Sequence, residues 1–533
     1  MTATRRQVLA TLAAGLAAPH LVSRANSASA DELRIGLAFE PSTVDPHFHN
    51  TTPNKSLARN IFEPLIFQDD RQRLVPGLAT AWRALDATTW RFELRQGVTF
   101  HNGAPFTSAD VVHTFIRAAD VPNSPSSFGG FIKGKRVEPE GDHAIIIRTD
   151  GPQPQLPIDV STFGIVAAST GRQPSRQDFN SGRAAIGTGA YRFSDYVAGE
   201  RIVLAAHDGH WAGRPDWRRV IMRPILSDAA RVAALLAGDV DVIEFVPTSD
   251  LKRLRADPRF AIASSLSNRM MYVHLDQFRD DSPYIKGHDG SALRNPLKDV
   301  RVRRALSIAI NRVAICQRVM EGAGEPAGQF MPSMFFGTSP NLTPPTYDPA
   351  RAKALLAEAG LPQGFRLTLH GTINRYPGDS QIVQAIAQMW TAIGVRTQVE
   401  TPPAAAFFSR GSTGGAGGTP EFSAILAGWG SASGEASDGL RALVATFDPK
   451  TGLGASNRGR YSNPTLDATL SEALSTLDDD RRAALLAKAG EIAIGDAGLL
   501  PIVFFTNSWA LRKGLSLVPR TDEYTLASSI RSG

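Results

Sequence analysis

Hydrophobic and polar residues follow two different periods along this chain. Short stretches of alternating or β-branched hydrophobic residues predict strands, at residues 33–37, 90–94, 145–148, 220–224, 367–370, 397–400, 424–427 and 500–505. Hydrophobic residues spaced three or four apart predict helices, at residues 227–237, 305–319, 381–393, 464–476 and 480–494. Because strands and helices alternate in the second half of the chain, the pattern favours an α/β fold.

Capping residues mark two helix starts independently of the hydrophobic pattern. Thr107 precedes a helical stretch, and Asp110 follows at the third helical position, next to the positive helix end. Asp348 followed by Pro349 predicts a second start, and Gly360 predicts the end of that helix. The sequence therefore predicts where both helices start and where the second one ends.

The first thirty residues have the pattern of an export signal. Arg5 and Arg6 precede the hydrophobic run 8–18, and residues 28–30 are small, as a cleavage site requires. The paired arginines indicate the twin-arginine route. A membrane anchor is the alternative, but the apolar run is shorter than the roughly 20 residues that a span needs. We therefore expect cleavage near Ala30 and a mature chain in the periplasm.

Composition and charge suit a folded, multi-lobed protein. The 533 residues are 42% hydrophobic, with a mean hydropathy of −0.14, and a chain of this length can bury a large core. The formal net charge is +6, and residues 1–30 hold three arginines and no acidic residue, which leaves +3 on the mature chain. The basic residues are scattered, so we predict no nucleic-acid binding.

The single cysteine, Cys316, is expected to be structural. Alone, it cannot form an internal disulfide or a site with several thiolates. It lies among the apolar positions of the helix predicted at 305–319, where a buried thiol packs like a small hydrophobic residue.

Motifs of common enzymes and metal sites are missing from the sequence. Residues 430–434 resemble a G-x-S-x-G turn but have Ala432 in place of the nucleophile. His207 and His210 lack a further ligand at zinc spacing, and we expect both on an exposed loop before Trp211. The glycine-rich stretch 411–418 lacks the lysine of a phosphate-binding loop and is predicted to be a flexible surface loop. We predict no catalytic residue, no metal site and no cofactor.

Several sequence blocks carry a specific resemblance. They include 62–65 (FEPL), 94–103 (LRQGVTFHNG), 187–193 (GTGAYRF), 299–306 (DVRVRRAL) and 347–360 (YDPARAKALLAEAG). Such blocks occur in order, with suitable gaps, over nearly the whole chain after residue 30. The sequence resembles the family 5 extracellular solute-binding proteins, which deliver dipeptides, oligopeptides, nickel complexes and related solutes to ABC importers.

The resemblance implies an α/β fold like that of type II periplasmic binding proteins, with two large lobes joined by a hinge and a smaller additional lobe. We expect lobe I to combine residues 31–60, 187–275 and 500–533, lobe II to span 61–186, and lobe III to span 276–499. Members enclose a small solute between the two large lobes and hand it to an inner-membrane permease. The implied partners are that solute and that permease, and a monomer is expected.

The resemblance also implies four candidate ligand contacts. In the peptide-binding members, an arginine after a strand pairs with the ligand carboxylate, a task that suits the two-pronged guanidinium. Arg375 stands at this position, with Tyr376 beside it. Trp429 matches a tryptophan that lines the pocket, and Ser42 lies in a loop, residues 40–46, that resembles one near the ligand.

The family's anchor for a ligand amine is altered here. Peptide-binding members place an aspartate three residues after the tryptophan, but Ala432 stands at that position. Glu435 and Asp438 follow on the same loop, and Glu435 matches an acidic position that members use variably, so we predict both as ligand contacts. The expected solute carries a carboxylate without an assured free α-amine: a modified or longer peptide, or an opine-like or sugar-acid compound.

These residues predict a periplasmic receptor that binds its solute without turnover. Two alternatives stay open at this point. One is an extracellular hydrolase on the same scaffold, and the other is a receptor for a metal chelate, as in the nickel-binding relatives. The fate of the solute, intact or converted, separates a receptor from a hydrolase.

Overall fold

A computed structural model describes residues 31–373 and 375–533. The strands are β1 (Glu32–Leu37), β2 (Ile66–Gln68), β3 (Leu74–Pro76), β4 (Ala79–Asp86), β5 (Thr89–Leu94), β6 (Lys135–Pro139), β7 (Ala144–Thr149), β8 (Tyr191–Val197), β9 (Arg201–Ala206), β10 (Arg219–Pro224), β11 (Val242–Ile243), β12 (Phe260–Leu275), β13 (Ile285–Lys286), β14 (Gly324–Pro326), β15 (Phe365–His370), β16 (Val395–Glu400), β17 (Ala424–Gly430), β18 (Leu500–Arg512), β19 (Leu515–Leu517) and β20 (Ile530–Ser532).

The α-helices are α1 (Thr52–Ile61), α2 (Ser108–Ala119), α3 (Gly129–Ile132), α4 (Leu156–Asp159), α5 (Arg176–Asn180), α6 (Asp228–Ala237), α7 (Thr248–Ala256), α8 (Val300–Ile308), α9 (Arg312–Ala314), α10 (Pro349–Glu358), α11 (Asp379–Ala392), α12 (Ala404–Thr413), α13 (Ala436–Gly439), α14 (Pro464–Ala473) and α15 (Asp479–Gly495). Single turns of 3₁₀ or π helix lie at Ala168–Thr170, Pro296–Lys298, Ile315–Val319, Ala416–Gly418, Leu440–Val444 and Ala527–Ser529.

All eight predicted strands are present, and both capping predictions are confirmed. At the start of α2, the backbone N–H of Thr107 donates to the carboxylate of Asp110 at 2.9 Å. At the start of α10, Asp348 accepts from the backbone N–H of Arg351 at 2.8 Å. Gly360, just past the end of α10, has a φ of 81°, a conformation that glycine adopts without steric cost.

The helix predicted at 305–319 is broken. α8 ends at Ile308, and Asn311 begins a new turn by accepting a hydrogen bond from the backbone N–H of Ala314 at 2.9 Å. An asparagine side chain favours this capping role over a place inside a helix. Cys316 lies on the following turn and is buried, as predicted, and burial raises the pKa of its thiol to about 12.

The glycine-rich stretch 411–418 is not wholly a loop. Residues 411–413 form the last turn of α12. A Cβ on Gly411 would lie 2.8 Å from the side chain of Ile425. The glycine is therefore explained by the close approach of the helix to β17.

Within the described ranges, a twelve-stranded sheet crosses the molecule, in the order β13-β15-β17-β12-β18-β11-β1-β10-β9-β8, with β14 paired to β18 and β16 to β15. The long strands β12 and β18 run antiparallel in its middle. On one side of them β1 is parallel to β10 and β11, and on the other β15 is parallel to β16 and β17. The sheet thus joins two parallel groups through a central antiparallel pair.

Buried hydrophobic residues form separate clusters around these strands. One contains Ile35 of β1, another Phe92 of β5, and two more, near β15 and β17, contain Trp390 and Leu440. The Phe92 cluster belongs to a separate four-stranded sheet, β4-β5-β7-β6. The lobe boundaries expected from the resemblance stay a prediction. Across residues 31–373 and 375–533, no helix has both the length and the apolar character that a membrane span requires.

Candidate functional site

Loops follow the carboxyl ends of four of the six parallel strands: residues 38–44 after β1, 244–247 after β11, 371–373 and 375–378 after β15, and 431–435 after β17. In open α/β sheets, ligands bind outside the carboxyl ends of parallel strands. We therefore define the candidate cleft by these four loops, with the central parts of β12 and β18 between them.

Arg375 and Tyr376 lie on the loop after β15. The backbone N–H groups of both residues donate to the carboxylate of Asp379, at 3.0 and 3.2 Å, and so does the hydroxyl of Thr372, at 2.7 Å. Tyr376 is buried, and its hydroxyl donates to the carbonyl of Gly428 at 3.2 Å. The Arg375 side chain is exposed, with its guanidinium 5.0 Å from the centre of the Tyr376 ring. A fixed loop thus presents an exposed cation.

Trp429 lies between two glycines that let other side chains pack closely on one face of β17. A Cβ on Gly428 would lie 2.7 Å from the ring of Tyr376, and one on Gly430 would lie 3.2 Å from the guanidinium of Arg269. Trp429 points to the opposite face, because successive residues of a strand alternate, and it is partly buried. Its indole N–H is buried and has no hydrogen-bond partner among the described residues. Such donors are rare in native proteins, which makes this one a candidate solute contact.

The acidic residues after β17 are engaged within the protein. Glu435 is buried and pairs with Arg482 at 2.8 Å, and it also accepts from the side-chain amide of Gln155 at 2.6 Å. Asp438 accepts from the backbone N–H of Ala432 at 2.8 Å. Both carboxylates therefore stabilise their own loop in this structure, and their contact with a solute stays a prediction.

Ser42 has only local partners. Its hydroxyl lies 3.1 Å from Nδ1 of His49 and 3.5 Å from the side-chain oxygen of Asn54. Among the described residues, no hydrogen bond joins it to Arg375 or Trp429. The structure thus places Arg375, Tyr376 and Ser42 on loops of the candidate cleft and Trp429 on the strand before another of them. Their contact with a solute stays a prediction.

An ion pair beneath the candidate cleft was not predicted from the sequence. Arg269 on β12 pairs with Glu523 at 2.8 Å, and Glu523 also accepts from the hydroxyl of Ser267 at 2.7 Å. Burial alone would lower the pKa of Arg269, but the adjacent Glu523 carboxylate raises it above its ordinary value. The two partners are 254 residues apart, so no local motif marks them.

Glu244, which follows β11, is a second buried carboxylate close enough to Glu523 to interact with its charge. It accepts from the backbone N–H of Ala38 at 2.9 Å and from the hydroxyl of Thr525 at 2.6 Å. Burial raises the pKa of Glu244, and the negative charge of Glu523 adds to the rise, although the two hydrogen bonds oppose it. Glu244 therefore connects the loop after β1 to the C-terminal segment that contains Thr525. The same segment contains Glu523, the partner of Arg269.

A cavity of about 460 Å³ lies away from the candidate cleft. Its lining includes Asp45, Phe48, Arg117 and Arg176. Arg117 pairs with Asp45 at 2.6 Å, and Arg176 lies 5.3 Å from the centre of the Phe48 ring. Because it contains none of the residues of the loops after β15 and β17, we do not assign the predicted solute to it.

The histidines near Trp211 are not on an exposed loop, so that prediction is wrong. His207 is buried, and Nε2 of His210 lies 2.9 Å from the carboxylate of Glu63. The indole N–H of Trp211 donates to the same carboxylate at 2.8 Å. The buried Glu63 carboxylate thus holds His210 and Trp211 against the protein interior. Within the described ranges, no group of three or more histidine, cysteine, aspartate or glutamate residues is arranged to hold a metal ion.

Comparisons with known proteins agree with this geometry. A family model described as bacterial extracellular solute-binding proteins, family 5 middle, matches residues 73–450. Heme-binding protein A of Haemophilus influenzae is 28% identical over 496 residues, which cover 87% of this chain and 85% of that protein. The periplasmic murein peptide-binding protein MppA of Escherichia coli is 26% identical over 528 residues, covering 94% and 93%. The solved structure of HbpA2 from Haemophilus parasuis has the same fold, with a TM-score of 0.79, 24% identity, and coverage of 94% of this chain and 100% of that one.

Proposed function

Because this chain belongs to the family 5 bacterial extracellular solute-binding proteins, we propose that it captures a carboxylate-bearing solute for an ABC importer. Its fold is that of the type II periplasmic binding proteins, and family members work with inner-membrane permeases. The observation that carries the proposal is the exposed guanidinium of Arg375, on a loop that Asp379 fixes at the carboxyl end of β15. A guanidinium presented in this way suits a carboxylate.

The solute class follows from the residues after β17. No acidic side chain occupies position 432, and the nearby Asp438 carboxylate already accepts from the backbone N–H of Ala432. A free α-amine therefore has no anchor at the position that peptide-binding members use. A peptide with a blocked amine, or a peptide-like carboxylate, fits better. The name of the relative MppA, a murein peptide-binding protein, supports a peptide-type ligand.

Capture involves lobe closure in this proposal. Lobe I (31–60, 187–275 and 500–533) and lobe III (276–499) close on the solute about β12 and β18, while lobe II (61–186) is carried along. The solute leaves unchanged. The relatives are named as binding proteins, which supports binding over hydrolysis.

Export is the remaining part of the proposal. Family members are periplasmic or extracellular, and residues 1–30, which lie outside the described residues, carry the predicted signal. We infer cleavage near Ala30 and a monomeric mature chain. The intact mass of the protein purified from the periplasm checks the first residue, expected to be Asp31, and light scattering of the same sample checks the monomer.

Isothermal titration calorimetry with two matched probes tests the role of Arg375. The probes are N-acetyl-trialanine and its C-terminal amide, which differ only in the carboxylate. We expect the wild type to prefer the acid at least tenfold, and Arg375→Ala to lose that preference, a cost of about 1.5–3 kcal/mol for a charged hydrogen bond. Arg366→Ala, at an exposed arginine of β15, is the control. Equal affinity of the wild type for acid and amide contradicts the assignment.

A further inference from the structure

Two phenylalanines form a pair at the mouth of the candidate cleft. Phe39 follows β1 and Phe245 follows β11, and their ring centres are 5.3 Å apart with the planes at 84°. β1 and β11 are parallel neighbours in which Gly36 pairs with Ile243, so both loops begin at the same edge of the sheet. Phe39 is 39% exposed, so part of its ring is open to solvent.

The backbone of Phe245 is in a conformation that phenylalanine rarely adopts. Its φ is 49°, in the left-handed region, where the Cβ of a large residue crowds the backbone. Such strained residues concentrate at ligand-binding positions. The surrounding structure must therefore hold Phe245 in place.

Buried Arg231 of α6 supplies that support. Its guanidinium donates to the carbonyls of Glu244 at 3.1 Å and Phe245 at 2.9 Å, and a third bond goes to the carbonyl of Ile225 at 2.9 Å. The side chain is 1% exposed. Arg231 thus fixes the peptide on both sides of the strained φ angle.

The backbone next to Phe39 is also held in place, through Ala38. The backbone N–H of Ala38 donates to the carboxylate of Glu244 at 2.9 Å, and the other oxygen of that carboxylate accepts from Thr525 at 2.6 Å. One buried residue, Glu244, therefore positions Phe39 through its side chain and Phe245 through its backbone. A pair held in this way, with Phe39 exposed and Phe245 half-buried, is suited to contact a bound molecule.

We propose that Phe39 and Phe245 form an aromatic wall for a planar or apolar group of the solute. The inference rests on the proposed function and adds to it: the solute bears a carboxylate for Arg375 and a planar or apolar group for the wall. Edge-to-face ring pairs accept a further planar group through their remaining faces. Ile373, 48% exposed on the loop after β15, offers a second apolar surface. Arg231 and Glu244 are positioning residues.

Two probes that differ only in the planar group test the wall. N-benzoyl-trialanine and N-acetyl-trialanine both carry a carboxylate and no amine, and isothermal titration calorimetry on the mature chain gives their affinities. The wild type should bind the benzoyl probe at least tenfold more tightly. Phe39→Ala should abolish the difference, and Phe39→Trp should retain it. Phe447→Ala is the control, since Phe447 is equally exposed, at 39%, and lies on Arg460 instead.

The positioning roles have a separate readout. Arg231→Met should reduce the benzoyl preference while leaving the affinity for N-acetyl-trialanine within about twofold, and Arg231→Lys should restore part of it. A general loss of folding would lower both affinities together, and near-ultraviolet circular dichroism reports it directly.

Each outcome separates the wall from the carboxylate site. Equal affinity of the wild type for the two N-acyl probes, including no binding of either, overturns the wall. If the benzoyl preference is absent while the acid-over-amide preference persists, the result supports the proposed function and contradicts the aromatic wall. If Phe39→Ala removes a benzoyl preference but the wild type binds acid and amide equally, the result supports the aromatic wall and contradicts the role of Arg375.

Discussion

At the scale of single residues, the candidate cleft combines side chains that motifs reveal with others that they cannot. Arg375 and Trp429 were predicted because each stands in a short block with a fixed neighbour. The Arg269–Glu523 pair was not, because its partners meet only when β12 and the C-terminal segment fold together. The φ angle of Phe245 has no sequence signature either, since Arg231 imposes it from another element.

The Glu435–Arg482 pair yields a prediction at this scale. Arg482→Met leaves Glu435, which is 1% exposed, without its cation, and losing one partner of a buried pair typically costs about 3–5 kcal/mol. We expect the free energy of unfolding in urea to fall by that amount. Adding Glu435→Gln should recover part of the loss, because the glutamine removes the uncompensated charge.

Arg481→Met, a substitution at the preceding residue, is the matched control for Arg482→Met. Arg481 pairs with Glu472 on the surface, where the two side chains are 66% and 47% exposed, and exposed pairs contribute little. Arg481→Met should change the free energy of unfolding by no more than about 0.5 kcal/mol. Equal effects of the two substitutions would show that the buried pair has no special weight.

At the scale of secondary-structure elements, the hydrophobic period and the caps were sufficient for most of the strands and helices. The failures have local causes. Asn311 interrupts the helix predicted at 305–319 by capping a new turn, and residues 411–413 continue α12 because Gly411 packs closely on Ile425. In the first case a capping bond inside the predicted stretch outweighs the hydrophobic pattern, and in the second a contact with a distant strand does.

β17 carries the prediction at this scale. In Gly428→Ala the new methyl group would lie 2.7 Å from the Tyr376 ring, so the ring must move and its hydrogen bond to the Gly428 carbonyl weakens. Overpacking of this kind costs about 1–3 kcal/mol, and we expect thermal unfolding to report it. The affinity for N-acetyl-trialanine should fall as well, because Tyr376 adjoins Arg375.

Gly495→Ala at the end of α15 is the comparison, since a Cβ there meets nothing within 4 Å. Alanine is the better helix former, so this variant should be neutral or more stable by up to about 1 kcal/mol. A Gly428→Ala protein as stable as Gly495→Ala would refute the close packing of Tyr376 on β17.

At the scale of the whole molecule, the sequence was enough to place the chain in its family and fold class, because blocks spread over its length point the same way. The lobe boundaries stay a prediction. The amine-binding position could be recognised as altered, but the use of Glu435 and Asp438 within the fold could not, since Gln155 and Arg482 reach Glu435 from distant parts of the chain.

Buried histidines make acid stability a property of the whole molecule. Burial lowers the pKa of His101 and of His274 to about 3, while each has an ordinary pKa near 6.5 in the unfolded chain. The unfolded state therefore binds more protons below pH 6.5, and the folded state loses stability as the pH falls toward 3. Each histidine contributes a slope of up to about 1.4 kcal/mol per pH unit.

Urea unfolding between pH 7.5 and 4 measures this slope. In His274→Gln, the change in unfolding free energy per pH unit should be smaller by up to about 1.4 kcal/mol, the contribution of one proton. This holds whatever stability the substitution costs at pH 7.5. Nuclear magnetic resonance of the imidazole protons of the wild type should show His274 neutral down to about pH 4. A slope unchanged by the substitution would contradict the assignment.

Native mass spectrometry of the protein purified from the periplasm tests the central claim most directly: the chain holds one carboxylate-bearing solute and releases it intact. We predict a complex of one chain with one small molecule. Denaturation after prolonged incubation should release that molecule at the same mass, with an acidic group detectable by methyl esterification. A chain that turns the co-purified molecule into smaller products, or that holds a solute without any acidic group, would contradict this account.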